Sequence, residues 1–192
     1  MAGCSSWIGF SKSAAVGIET EFNPVKYFSG IIFRKNECLN DVLEILQDRF
    51  SVVDLESDIF PFDMTAYYET EMGFPLFRKF VSFERLMDPQ QLPMAKLFSN
   101  RIEEQFSDRS KRRINVDPGF VSDANVIIAT TKNHYHRIPL RNGIYAHMEY
   151  TIRKKTVNPL DWTYPDFRKP EYMDFFNRLI ERYKSQALTK PE

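Results

Sequence analysis

The chain is poor in the residues from which short signature motifs are built. Its 192 residues include two cysteines, Cys4 and Cys38, too few for a disulfide framework or a four-ligand zinc site. Thiols left unpaired fit a reducing, cytoplasmic setting. The seven glycines, at positions 3, 9, 17, 30, 73, 119 and 143, build neither G-x-x-x-x-G-K-[ST] nor G-x-G-x-x-G. P-loop and Rossmann phosphate cradles are therefore excluded. H-E-x-x-H, C-x-x-C and G-x-S-x-G are absent as well. No apolar run reaches the roughly 18 residues that cross a membrane, and residues 1–22 lack the continuous apolar stretch of a secretory signal. With 26 basic and 26 acidic residues the net charge is zero, unlike that of a protein that coats nucleic acid.

What is abundant is aromatic: 17 Phe and 9 Tyr in a chain that is 43% hydrophobic. That composition predicts one globular domain with an aromatic core and an aromatic-walled cleft. The charges are segregated. Residues 1–100 hold 9 basic and 14 acidic residues, and residues 101–192 hold 17 and 12. Residues 109–155 alone carry 10 bases against 3 acids. Such blocks make either a basic surface for phosphate or nucleic acid, or two halves that neutralise each other within one fold.

Hydrophobic periodicity gives the elements. Residues 25–34 read as a buried strand, 37–50 as an amphipathic helix capped by Asn36, 51–60 and 76–84 as strands, and 63–73 as a polar and aromatic connection. Asp88-Pro89 starts a helix over 89–107. Its partly apolar face runs through Leu92, Ala95, Lys96, Ser99, Ile102 and Phe106. Residues 112–117 read as a strand ending in a turn at Asp117-Pro118-Gly119. Residues 126–128 are ambiguous, with a short helix running to Thr131 as one reading. Strands 136–140 and 144–153 meet at Asn142-Gly143, a strong hairpin signal. Residues 154–169 read as irregular, and 170–186 as a closing helix. The expected fold is α+β: a single domain over 24–186 with a mostly antiparallel sheet and helices packed on one face. A ferredoxin-like split βαβ is its natural form, and a small curved sheet wrapped by the same helices is the alternative. Residues 1–23 are expected to be a flexible extension and 187–192 a loose tail.

Five constellations carry chemistry. Asp54, Glu56 and Asp58 alternate along a strand, as a magnesium or acid–base site would need, or as a charged sheet edge. Arg113, Asn115 and Asp117 alternate too, presenting a guanidinium and a carboxylate, or simply capping a turn. Lys132, His134, His136 and Arg137 suit an anion, and His136 titrates near neutrality; a solvated basic loop is the alternative, and two histidines alone do not make a metal site. The hairpin would bring His136, His147 and Glu149 to one sheet face, either a site or an ordinary wet surface. Tyr67, Tyr68, Trp162 and Tyr164 could stack a base beside arginine, or seal a core edge.

The segments DLESDIFPFDMTAYYETEMG, FVSFERL, RRINVDPGF, ATTKNHYHRIPL, GIYAHMEY and WTYPDFRKPEYMDFF, in that order over about residues 25–186, resemble a bacterial family catalogued as domain of unknown function 4416. Some members are labelled GTP-binding protein. The resemblance implies nucleotide binding only through that label, and it assigns no catalytic residues. Residues 1–23 lie outside the pattern, and Asn125 stands where the pattern has lysine.

Together these observations predict a small protein whose polar cleft binds an anionic small molecule, a nucleotide or a phosphorylated compound, with no membrane partner and no cofactor specified. Arg113, Asn115, Lys132 and Arg137 would hold the anion. His136 would move a proton with Glu149 or Asp117 orienting it, and Tyr68 and Glu71 would complete the wall. The competing expectation is a non-catalytic module that binds RNA or protein through Arg109, Lys111, Arg112, Arg113, Arg153, Lys154 and Lys155.

Overall fold

The computed structural model describes residues 17–34, 38–65, 67–109 and 111–188. The expectations on residues 1–16, on Asn36 as a cap and on residues 189–192 lie outside the described residues. Nine strands form one antiparallel sheet: β1 (Val25–Phe33), β2 (Val53–Glu56), β3 (Phe60–Pro61), β4 (Phe77–Met87), β5 (Ile114–Val121), β6 (Asn125–Thr130), β7 (Ile138–Pro139), β8 (Tyr145–Arg153) and β9 (Thr156–Pro159). The helices are α1 (Leu39–Arg49), α2 (Glu69–Met72), α3 (Leu92–Gln105) and α4 (Pro170–Leu188). Among the described residues no helix is long and apolar enough to cross a membrane.

The sheet order is β2-β4-β1-β5-β6-β8-β7, with β3 on β4 and β9 on β8. Its first half is two interlocked split βαβ units. β1-α1-β2 leaves a gap filled by β4, and β4-α3-β5 leaves one filled by β1, which gives β2-β4-β1-β5 as in a ferredoxin-like sheet. The second half, β6 to β9, extends that sheet beyond β5.

β1 lies at the centre, and all nine of its residues are buried, because both faces of the sheet are covered. Successive side chains of a strand point to opposite faces. Tyr27, Ile31 and Phe33 pack with Leu39, Val42 and Leu46 of α1 and with Leu92, Ala95 and Ile102 of α3. Phe28 packs instead with Tyr172, Phe175, Phe176, Leu179, Ile180 and Tyr183 of α4. The helices therefore occupy both faces, not one. The reason is in α4 itself, whose apolar stripe recurs at three- and four-residue intervals and needs an aromatic face of its own. Phe80 meets Phe175, Phe176 and Tyr172 there at 4.9–5.4 Å between ring centres.

One open reading is resolved and two local expectations are corrected. Residues 126–128 are strand β6, not helix; Val126 and Ile128 face α4 while Ala129 faces α3, so two-sided burial erased the alternation that marks a strand. Asp117-Pro118-Gly119 is no turn but the middle of β5, with Pro118 opposite Ser29 of β1. The proline is tolerated because β6 pairs with β5 only from Gly119 onward. Residues 154–169 contain β9, which returns along β8 through a turn at Lys154 and Lys155, both at positive φ. The Asn142-Gly143 hairpin forms as expected, with φ of 56° and 72°.

Gly119 marks the point where β5 and β6 begin to separate. A Cβ there would lie 2.4 Å from the Ile127 carbonyl oxygen and 2.5 Å from Phe28 Cζ, neither of which is the free end of a flexible chain. Gly119→Ala is expected to destabilise the protein by about 1–3 kcal/mol through overpacking. Urea denaturation measures it, and an unchanged midpoint would contradict this packing.

Candidate functional site

A strand that loses its neighbour inside a protein exposes backbone groups that must find other partners. Beyond the Gly119–Ile128 pair, β6 continues against β8 while β5 has no strand on that side among the described residues. α3 closes the gap with side chains two turns apart on one helix face. Glu103 Oε1 accepts from the Val116 N–H at 2.9 Å, and Lys96 Nζ donates to the Val116 carbonyl at 3.0 Å. The splay between the strands is a cleft of about 770 Å³, within the range of small-molecule sites.

One wall is an ionic lattice. Lys96 also reaches Asp117 Oδ1 at 3.0 Å and Glu103 Oε1 at 3.5 Å. Asn115 Nδ2 donates to Asp117 Oδ2 at 2.7 Å. Arg112 donates to Asn115 Oδ1 at 2.8 Å and Glu103 Oε2 at 3.1 Å, and holds both oxygens of Glu71 at 2.8 and 2.7 Å. Burial pushes the Asp117 carboxyl up, but Lys96 and Arg78 outweigh it and hold the group below the usual carboxylate range. Burial wins at Glu103, which is raised despite Lys96.

The floor is Arg78 of β4. Its guanidinium lies 5.1, 5.4 and 5.6 Å from the ring centres of Phe62, Phe80 and Phe167. The residue is 5% exposed. Gly30 of β1 makes the room, since a Cβ there would come within 2.8 Å of Arg78 Nη1. Its carboxylate partner among the described residues is Asp166, at a long 3.3 Å from Nη2, and Nε has no partner. Burial disfavours this cation, yet Asp166 and the nearby phenols and Asp117 hold its pKa above the ordinary value. A buried charge with so few hydrogen bonds is rare, because each unsatisfied donor costs about 1–3 kcal/mol.

The far wall stands on β8. Glu149, fully buried, accepts from the Tyr164 N–H at 2.7 Å and lies 2.7 Å from His147 Nε2. His147 stacks on Tyr164, ring centres 4.8 Å apart. Arg137 donates to the Tyr164 hydroxyl at 2.7 Å and to the Lys132 carbonyl at 2.8 Å. Burial pushes the Tyr164 hydroxyl up to about 12, so it stays protonated. Arg137 Nε can only donate, so at 3.3 Å His147 Nδ1 accepts and Nε2 carries the proton toward Glu149. His136 Nε2, 3.0 Å from the same Nδ1, then donates as well.

Of the residues singled out from sequence, Asn115, Asp117, Lys132 and Tyr68 line the cleft. Lys132 Nζ sits 3.8 Å from the Tyr67 ring centre at the mouth. Glu71 stands behind Arg112. His136, Arg137 and Glu149 stand behind His147 and Tyr164, and His136 stacks on Trp162. Arg113 is exposed and does not line the cleft; the chain bends at this residue before β5 begins, so alternation does not carry it onto the face of Asn115. Asp54 and Glu56 are taken up by Lys26 and Lys79, away from the cleft. The β8 face is not wet, since His147 and Glu149 are fully buried.

The sequence pattern does not single out Arg78, Asp166 or Glu103. Lys96 falls on the apolar stripe of α3, and a cation there is the available signal. His147 falls beside Glu149 on the strand with nothing in the pattern to assign it a role.

Residues 23–183 match the model of a family described as Domain of unknown function (DUF4416), which spans the sheet from β1 through most of α4. No curated protein and no solved structure matches.

Proposed function

The chain belongs to the DUF4416 family, and from the geometry of its cleft we propose that it binds a small organic anion between β5 and β6, anchored by Arg78. The observation that carries this is the guanidinium itself: buried, caged by three rings, with one distant carboxylate and an unpartnered Nε. An anion entering the cleft would give this cation a closer partner than Asp166. Lys132 at the mouth adds a second cation. His147 presents Nδ1 to Arg137 and has Nε2 2.7 Å from the Glu149 carboxylate, and it serves to hold Tyr164 and Arg137 in place. The RNA reading is weakened because Arg112, a central member of its basic run, is turned inward onto Glu71 and Glu103.

The test is thermal shift and calorimetry with carboxylates, sugar phosphates and nucleotides. The proteins compared are the wild type, Arg78→Lys, which keeps the charge but loses the planar fork, and Arg78→Met/Asp166→Asn, which removes both charges. An anion is expected to stabilise the wild type and to bind Arg78→Lys about tenfold more weakly. No stabilisation by any anion, or equal stabilisation of all three proteins, would overturn the reading.

A further inference from the structure

Resting on that reading, we infer that the ligand is a flat organic monocarboxylate, its ring against the aromatic walls and its carboxylate on Arg78, and not a nucleoside polyphosphate. The first ground is charge. The cations lining the cleft are Arg78, Lys96, Arg112 and Lys132, and four carboxylates, those of Glu103, Glu104, Asp117 and Asp166, line it with them. Lys96 and Arg112 are committed to Glu103, Asp117, Glu71 and the Val116 carbonyl. Arg78 on the floor and Lys132 at the mouth are left to offer. With the Asp166 carboxylate counted against Arg78, these two cations leave one positive charge, and a group with one negative charge matches it. A triphosphate would set several charges against Asp117, Glu104 and Asp166, and like charges in a low-dielectric site repel strongly.

The second ground is shape. Polyphosphates are cradled by successive backbone N–H groups of glycine-rich loops or helix N-termini. Here α3 turns the side chains of Lys96, Asn100, Glu103 and Glu104 to the cleft, not its N-terminal amides. The Arg78 guanidinium lies among three rings at the cleft floor, and its planar fork matches a planar two-oxygen group. Phe28, Tyr68 and Tyr164 also line the cleft, which suits a flat ring.

The experiment is calorimetric titration of the full chain with benzoate, salicylate and nicotinate, with their primary amides, and with AMP, GTP and inorganic phosphate, each on the wild type and on Arg78→Lys. At least one carboxylate is expected to bind the wild type, with its amide and the Arg78→Lys variant each about tenfold weaker or worse. Tighter Arg78-dependent binding of AMP, GTP or phosphate overturns the monocarboxylate assignment and leaves the anion cleft standing. No Arg78-dependent binding of any probe overturns both. Circular dichroism and the melting temperature of Arg78→Lys separate lost binding from lost folding.

Discussion

Lys96→Ala is expected to lower stability by about 3–5 kcal/mol, the usual result of removing one partner from a buried ion pair. The side chain is 7% exposed, and its ammonium holds Val116 O, Asp117 Oδ1 and Glu103 Oε1 at 3.0, 3.0 and 3.5 Å. Burial opposes its charge, but Asp117 and Glu103 outweigh the penalty and raise its pKa. Without it Glu103 and the partly buried Asp117 lose their shared cation, and the Val116 carbonyl loses its donor on the stretch of β5 that β6 has left. Lys96→Met/Asp117→Asn removes one charge of each sign, keeps most of the volume and leaves Arg112 to serve Glu103; it is expected to recover more than half of the loss. Urea denaturation of the two variants decides. If Lys96→Ala unfolds within about 1 kcal/mol of the wild type, the side chain does not close the β5 edge and the cleft wall is not held as described.

Local pattern was a good guide wherever one principle dominated. The β1, α1, α3 and α4 segments announced themselves by burial or by helical spacing, and Asn142-Gly143 by its tolerance of positive φ. Interlocking of the two βαβ units follows from their order once each crossover must leave a gap. The two-sided placement of the helices was not legible, because a central strand such as β1 is apolar at every position and does not say which face any helix takes. The same saturation hid β6. Pro118 misled for a different reason: proline normally ends pairing, and only the departure of β6 from β5 lets a strand run through it. That departure is also what makes the cleft, so the residue pattern that looked like a turn marks the site. Arg78 was illegible because its meaning lies in Gly30, Phe62 and Phe167, which are distant in sequence and converge only in the folded sheet.

Glu149→Ala is expected to dismantle the far wall. The carboxylate takes the Tyr164 N–H and faces His147 Nε2, both deep in the structure. At about 1–3 kcal/mol for each donor left unpaired, the variant loses roughly 2–6 kcal/mol, and Tyr164 loses its backbone anchor. Glu149→Gln is the sharper probe. Its amide oxygen can still accept from Tyr164, but its NH2 then confronts the protonated Nε2 of His147. Moving that proton to Nδ1 sets it against Arg137 Nε, which can only donate. The glutamine variant is therefore expected to fold better than alanine yet bind anions less well than the wild type, because the Arg137–Tyr164 contact at the cleft wall is disturbed. The array also fixes a pH dependence. His136 is held below the ordinary histidine value of 6.5 by burial first and then by His147, Arg137 and His134. The folded protein thus binds fewer protons here than the unfolded chain, so the stability this site contributes is present above that value and is lost as pH falls through it. The melting temperature should drop as pH falls below about 7, and His136→Gln, which cannot titrate, should flatten that drop. An identical pH profile for the two proteins would show that the imidazole chain is not coupled to folding. Equal anion affinity in Glu149→Gln and the wild type would show that the proton order set by Glu149 does not reach the cleft.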